Sequence, residues 1–138
     1  MTAFINNFKW VMVVSGVLTI TMLYAAIAPE ASLRSNFGEA IDGPLAQIIV
    51  RNWGALIGLV GLMLIYGAFS EVNRRMALVV ATLSKLAFIA LVLTLGRQFL
   101  EFQVGTAVIV DSIIIALFLA YLTVAPKPRA APADRAAP

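Results

Sequence analysis

Residues 10–28 read WVMVVSGVLTITMLYAAIA, an apolar run without a single charge. A helix needs about 20 mostly apolar residues to cross a hydrocarbon layer about 30 Å thick, because each residue rises about 1.5 Å. The run meets that length. Trp10 and Tyr24 stand near its two ends, where amphipathic rings suit a membrane–water boundary. A secretory leader is also apolar, and Ala26 and Ala28 mimic its cleavage site. This run is too long for one, and Pro29 would follow the cut, so with Met1 heading the chain we expect a retained span from which nothing has been removed.

Working outward, three further runs reach the same length, at about 45–69, 76–96 and 104–125. Pro44 is well placed as the first helical residue after the Asp42-Gly43 turn. Each of these three runs carries one charge: Arg51, Lys85 and Asp111 respectively. Backbone amides in lipid must be satisfied within the chain, and these runs are too long for barrel strands, so the spans are helices. The expected fold is all-α, an integral membrane four-helix antiparallel bundle.

Composition agrees. Of 138 residues, 62% are hydrophobic and 12% charged, with a mean hydropathy of +0.96, far from the roughly 45–50% apolar content of soluble domains. The spans leave no loop long enough to fold alone, so residues 1–125 form one domain, and we find no internal repeat. Residues 29–43 make the longest connection, and Leu33, Phe37 and Ile41 recur there at helical spacing, which predicts a segment lying along the membrane surface. Residues 70–75 and 97–103 read as tight loops, which force antiparallel neighbours. After residue 125 the chain turns to Ala, Pro, Lys, Arg and Asp, and the tail 126–138 is expected to be disordered.

The net charge of +3 does not point to nucleic acid, because the basic residues are scattered along the span flanks. They carry topology instead. Lys9, Arg74, Arg75, Lys127, Arg129 and Arg135 gather on one side; Arg34 and Arg97 lie on the other, with Arg51 if it counts as a flank. The excess puts both termini in the cytoplasm. With neither cysteine nor histidine, the chain lacks disulfides, thiol chemistry, zinc sites and the usual haem ligand, and no cofactor or metal is expected.

The charges within the spans are the candidate site. Burying one costs about 2.5–3.5 kcal/mol, so each needs a reason. Counted from the outer side, Arg51 and Asp111 lie at about 9 and 10 Å depth and Lys85 at about 16 Å, within reach of its flexible stem. All three are expected to meet, with Asn52 and Trp53 flanking Arg51. Arg51 also continues the small-residue stripe Gly54, Gly58 and Gly61, which includes a GxxxG, so its guanidinium should point into the bundle or toward a partner. Ala77, Ala81 and Ser84 offer a comparable surface on the third span.

The structural reading is that Asp111 pairs with Arg51 or Lys85 and holds the helices in register. The functional reading starts from charge: two cations and one carboxylate leave net positive charge in low dielectric, unless Lys85 is neutral, reaches away or meets an anion. An anionic head group, a carboxylated substrate or a quinone carbonyl would fit that vacancy, with Arg51, Asn52, Lys85, Asp111 and, at the outer turn, Arg97 as ligand-binding residues. Arg97, Gln98 and Glu101 form either a solvated turn or a gate. Ser15, Thr19 and Thr21 are expected to bond to their own helix carbonyls.

Three short motifs resemble the BphX-like family of small bacterial four-helix membrane proteins, a domain of unknown function. They are Ala28-Pro29-Glu30 closing the first span, the run from Arg51 and Asn52 through Gly58 in the second, and Gly96-Arg97 ending the third. The resemblance covers residues 10–124. It implies the architecture and a bacterial inner membrane, and carries over no catalytic residue.

Of the functions compatible with this reading, an accessory or assembly subunit of a larger membrane complex needs only a compact bundle with a small-residue face, and is favoured. Its partners would be membrane lipid and either another membrane protein or further copies of itself. The alternative is a binding or transport protein for a small anionic or amphipathic ligand. An enzyme ranks last, since only Asp111 and Lys85 remain as acid or base.

Overall fold

The computed structural model describes residues 2–125, with side chains from residue 4 onward; the tail 126–138 lies outside the described residues. Among these, all regular structure is helical: α1 (Thr2–Ile20), α2 (Leu23–Ile27), α3 (Pro29–Phe37), α4 (Pro44–Phe69), α5 (Glu71–Leu95) and α6 (Gln103–Val124), with a short 3-10 turn at Arg97–Phe99. Four stretches are long and apolar enough to cross a membrane: Phe4–Ile27, combining α1 and α2, then α4, α5 and α6. No more than a third of each span's most apolar window is buried inside the protein. Large apolar side chains such as Ile48, Leu59, Leu83, Ile109 and Ile113 therefore point outward, a surface far larger than water tolerates.

The chain alternates direction at every span. Gly16 of α1 lies against Gly61 and Ile65 of α4, whereas Ala25 of α2 lies against Gly54. Arg75 of α5 meets the end of α6, and Lys85 meets Asp111 further up. We call the end holding Phe4 and Val124 the near end and the other the far end. Packing is closest between the first span and α4. A Cβ on Gly61 would fall 2.8 Å from the Gly16 carbonyl oxygen, and one on Gly16 would fall 2.8 Å from that of Gly61, so only glycine allows the backbones this near. Gly58 faces Leu23 in the same seam. The stripe Gly54, Gly58 and Gly61 is thus covered by the first span.

The near half holds the main core. Phe8 stacks on Tyr121 at 4.0 Å between centroids and meets Phe118 edge-on at 6.2 Å, joining α1 to α6; Met12, Leu64, Leu78 and Ala81 belong to the same cluster. A smaller cluster of Ala25, Leu33 and Val50, backed by Phe37 and Trp53, fastens α3 across the far end.

Three boundaries differ from the sequence reading. The first helix begins at Thr2 instead of residue 10, because polar residues at a span's edge can extend the helix beyond the apolar run. For the same reason residues 71–75, expected as a loop, form the first turns of α5, and Ser70 alone breaks the chain, its hydroxyl accepting from Asn73. In the connection 29–43, Leu33 and Phe37 share the inner face of α3, but Gly38 ends that helix with φ +75° and Ile41 lies beyond it, exposed.

Candidate functional site

Lys85 lies on the buried stripe of α5, one turn beyond Ala81. Asp111 lies one turn before Ile114 and Ile115 on α6. The antiparallel register brings them level, and Lys85 Nζ donates to Asp111 Oδ1 with the two side chains 9% and 17% exposed. The attraction between the two charges offsets part of the desolvation cost that each carries.

Arg51 does not join them. Its guanidinium donates to the carbonyls of Ala26 at 2.6 Å and Ile27 at 3.2 Å, the last acceptors of α2. The other arginines at the span ends do likewise. Arg74 donates to Ala68 at 2.8 Å and Gly67 at 3.4 Å at the end of α4, Arg97 to Leu93 at 2.6 Å at the end of α5, and Arg75 to Leu122 and Ala125, both at 3.3 Å, at the end of α6. Every span thus has an arginine on its final carbonyls, where the helix leaves acceptors unpaired and the dipole favours positive charge. The expected triad is replaced by a pair and a cap. The net positive charge from which an anionic ligand was argued disappears with it.

Beside the pair lies a cavity of about 460 Å³ in the far half of the bundle, walled by all four spans and α3. Leu18, Met22, Ile57, Val60 and Phe88 supply apolar wall; Thr19, Ser84, Gln103, Thr106 and the ion pair supply polar groups. Asn52 is exposed and does not line it, whereas its neighbour Trp53 does. Arg97 is exposed at the far turn and likewise does not line it. From α3, Asn36 and Phe37 close the far side. Phe37 is held edge-on to Phe99 at 5.5 Å and tilted to Trp53 at 6.3 Å.

The first span breaks where it borders the cavity. The amides of Met22, Tyr24 and Ala25 donate three residues back, and the Thr21 hydroxyl donates to Leu18 O at 2.6 Å, the kind of intrusion into the helical ladder that bends helices. Thr19 bonds to Ser15 O at 2.8 Å as expected. The Ser15 hydroxyl, by contrast, is buried without a partner among the described residues.

No family model, curated protein or solved structure matches the chain. The site is therefore read from its own geometry. Among the described residues no three His, Cys, Asp or Glu side chains gather as metal ligands do, and the cavity offers hydroxyls, amides and one ion pair. Lys85 and Asp111 were legible from depth alone. Thr19, Asn36, Phe37 and Gln103 were not, because nothing in their local sequence distinguishes a cavity wall from a packed seam.

Proposed function

We propose that this chain is a multi-pass membrane protein that holds one small amphipathic molecule between its spans, the polar end of the ligand on Lys85 and Asp111. The observation that carries the reading is a cavity of about 460 Å³ with a paired but partly accessible charge in its wall, a volume within the usual range for small-molecule pockets. The ligand is neutral overall. An added anion or cation would leave one unbalanced charge beside the pair, which low dielectric penalises heavily. A carbonyl or hydroxyl can instead accept from Lys85 or donate to Asp111.

The accessory-subunit reading drew its support from a compact bundle with a small-residue face. Gly54, Gly58 and Gly61 are covered by the first span, so we prefer the carrier. Lys and Arg counts support a near end in the cytoplasm, and with the resemblance to BphX-like proteins they make a bacterial inner membrane our proposed location. Lipid surrounds the apolar faces.

Gentle extraction followed by native mass spectrometry tests the reading. The wild type should retain a defined small molecule that Ala107→Trp, which fills the cavity, loses. Identical bound species in both proteins would overturn it.

A further inference from the structure

We infer that the ligand enters sideways from the bilayer, through a slot between the first span and α6 in the far half, so that its class is an uncharged membrane-dissolved amphipath. This rests on the cavity's being a binding site.

The carrying observation is where the cavity wall is exposed. Of the residues that line it, those open to the outside are Leu18 and Thr21 on the first span and Gln103, Thr106 and Val110 on α6. The wall residues of α4, α5 and α3 are all buried or half-buried. The exposed rim therefore runs along two helices facing each other, and along no others. These two helices touch only sparsely; the stack of Phe8 on Tyr121 joins them near the near end, and beyond the core cluster that includes Met12 and Ile114 the cavity lies between them.

The far end is closed to water by different means. α3 crosses it, Leu33 packs with Ala25 and Val50, and Phe37 is wedged between Trp53 and Phe99. A solute arriving from water over α3 would have to displace that aromatic cluster. One dissolved among acyl chains meets a rim with Leu18 and Thr21 on the first span and Gln103, Thr106 and Val110 on α6. Its head can reach Lys85 and Asp111 while its tail remains in the slot among lipid, so the cavity need hold only the head.

Because the chain has no cysteine, a single thiol reports the route. Full-length protein in liposomes would carry Ala107→Cys in the cavity wall and, separately, Ile109→Cys on the exposed face of α6 as calibrator. Two reagents are compared: pyrenyl maleimide dissolved in the bilayer, and a sulfonated maleimide confined to water. The bilayer reagent should label Ala107→Cys and the sulfonated one should not. Adding Leu18→Trp and Thr106→Trp should slow bilayer labelling about tenfold, as in a slot filled to interior packing density, with Ile109→Cys unaffected and the fold thereby shown intact.

Equal labelling by the aqueous reagent, no labelling by either, or indifference to the tryptophan pair would each overturn the lateral route. If the tryptophans also change Ile109→Cys labelling, the smaller pair Leu18→Phe and Thr106→Leu replaces them, read by the same criterion. Labelling needs no natural ligand, so failure here is separable from failure of the co-purification test.

Discussion

Arg51 on α4 donates to the carbonyl oxygen of Ala26 at 2.6 Å, tying the second span to the end of the first. The bond crosses between helices, whereas Arg97 bonds within its own turn. Arg51→Leu should therefore cost about 1–2 kcal/mol of stability, as for loss of a charged hydrogen bond at a helix C-terminus. Arg97→Leu should stay within about 0.5 kcal/mol, as exposed local changes usually do. Unfolding in a detergent titration followed by circular dichroism checks the order, and equal losses would count against the cap.

The Lys85–Asp111 pair calls for a double-mutant cycle. Lys85→Met alone leaves a buried carboxylate and Asp111→Leu alone a buried ammonium, and each should cost about 3–5 kcal/mol. The double variant should recover most of that, since apolar replacements of a buried pair are often neutral. It should also lose the bound small molecule. A double variant that keeps the ligand would reduce the pair to a register device.

Much of this arrangement was legible. Four apolar runs specify four helices, and counting residues from each run's end put Lys85 and Asp111 within reach, because an antiparallel hairpin converts sequence distance directly into depth. Arg51 failed the same arithmetic. Its depth was right, but the stripe it continues faces the first span, whose helix ends at Ile27 just where the guanidinium arrives. The usable signal was Pro29: a helix stopping there exposes carbonyls at Arg51's level, and arginine is their natural partner. The cavity had no such signal, since it depends on how far α6 stands from the first span.

The seam between α1 and α4 ranks glycine substitutions. Gly61→Ala brings a methyl group against the Gly16 backbone, which cannot move aside, and should cost about 1–3 kcal/mol. At Gly58 the atoms nearest the added Cβ all belong to the Leu23 side chain, which can change rotamer, so Gly58→Ala should cost less than Gly61→Ala. The same detergent titration measures both, and a reversed order would mean that the helices slide to relieve the backbone clash.

Gly38 governs the roof. It ends α3 in the left-handed region at φ +75°, and a Cβ there would fall 2.2 Å from Phe102 Cζ. Gly38→Ala thus adds roughly 1–2 kcal/mol of backbone strain to a clash that must push Phe102 or α3 outward. Phe37, the next residue back, is packed on Phe99 and Trp53, so the strain acts directly on the cluster that seals the cavity from water. The global fold should survive, because the near-half core around Phe8, Leu78 and Phe118 is far from the change. Ala107→Cys should then become reactive toward the sulfonated maleimide, which is expected not to reach it in the parent, with bilayer labelling little altered. If the aqueous reagent is still excluded, α3 is not the barrier.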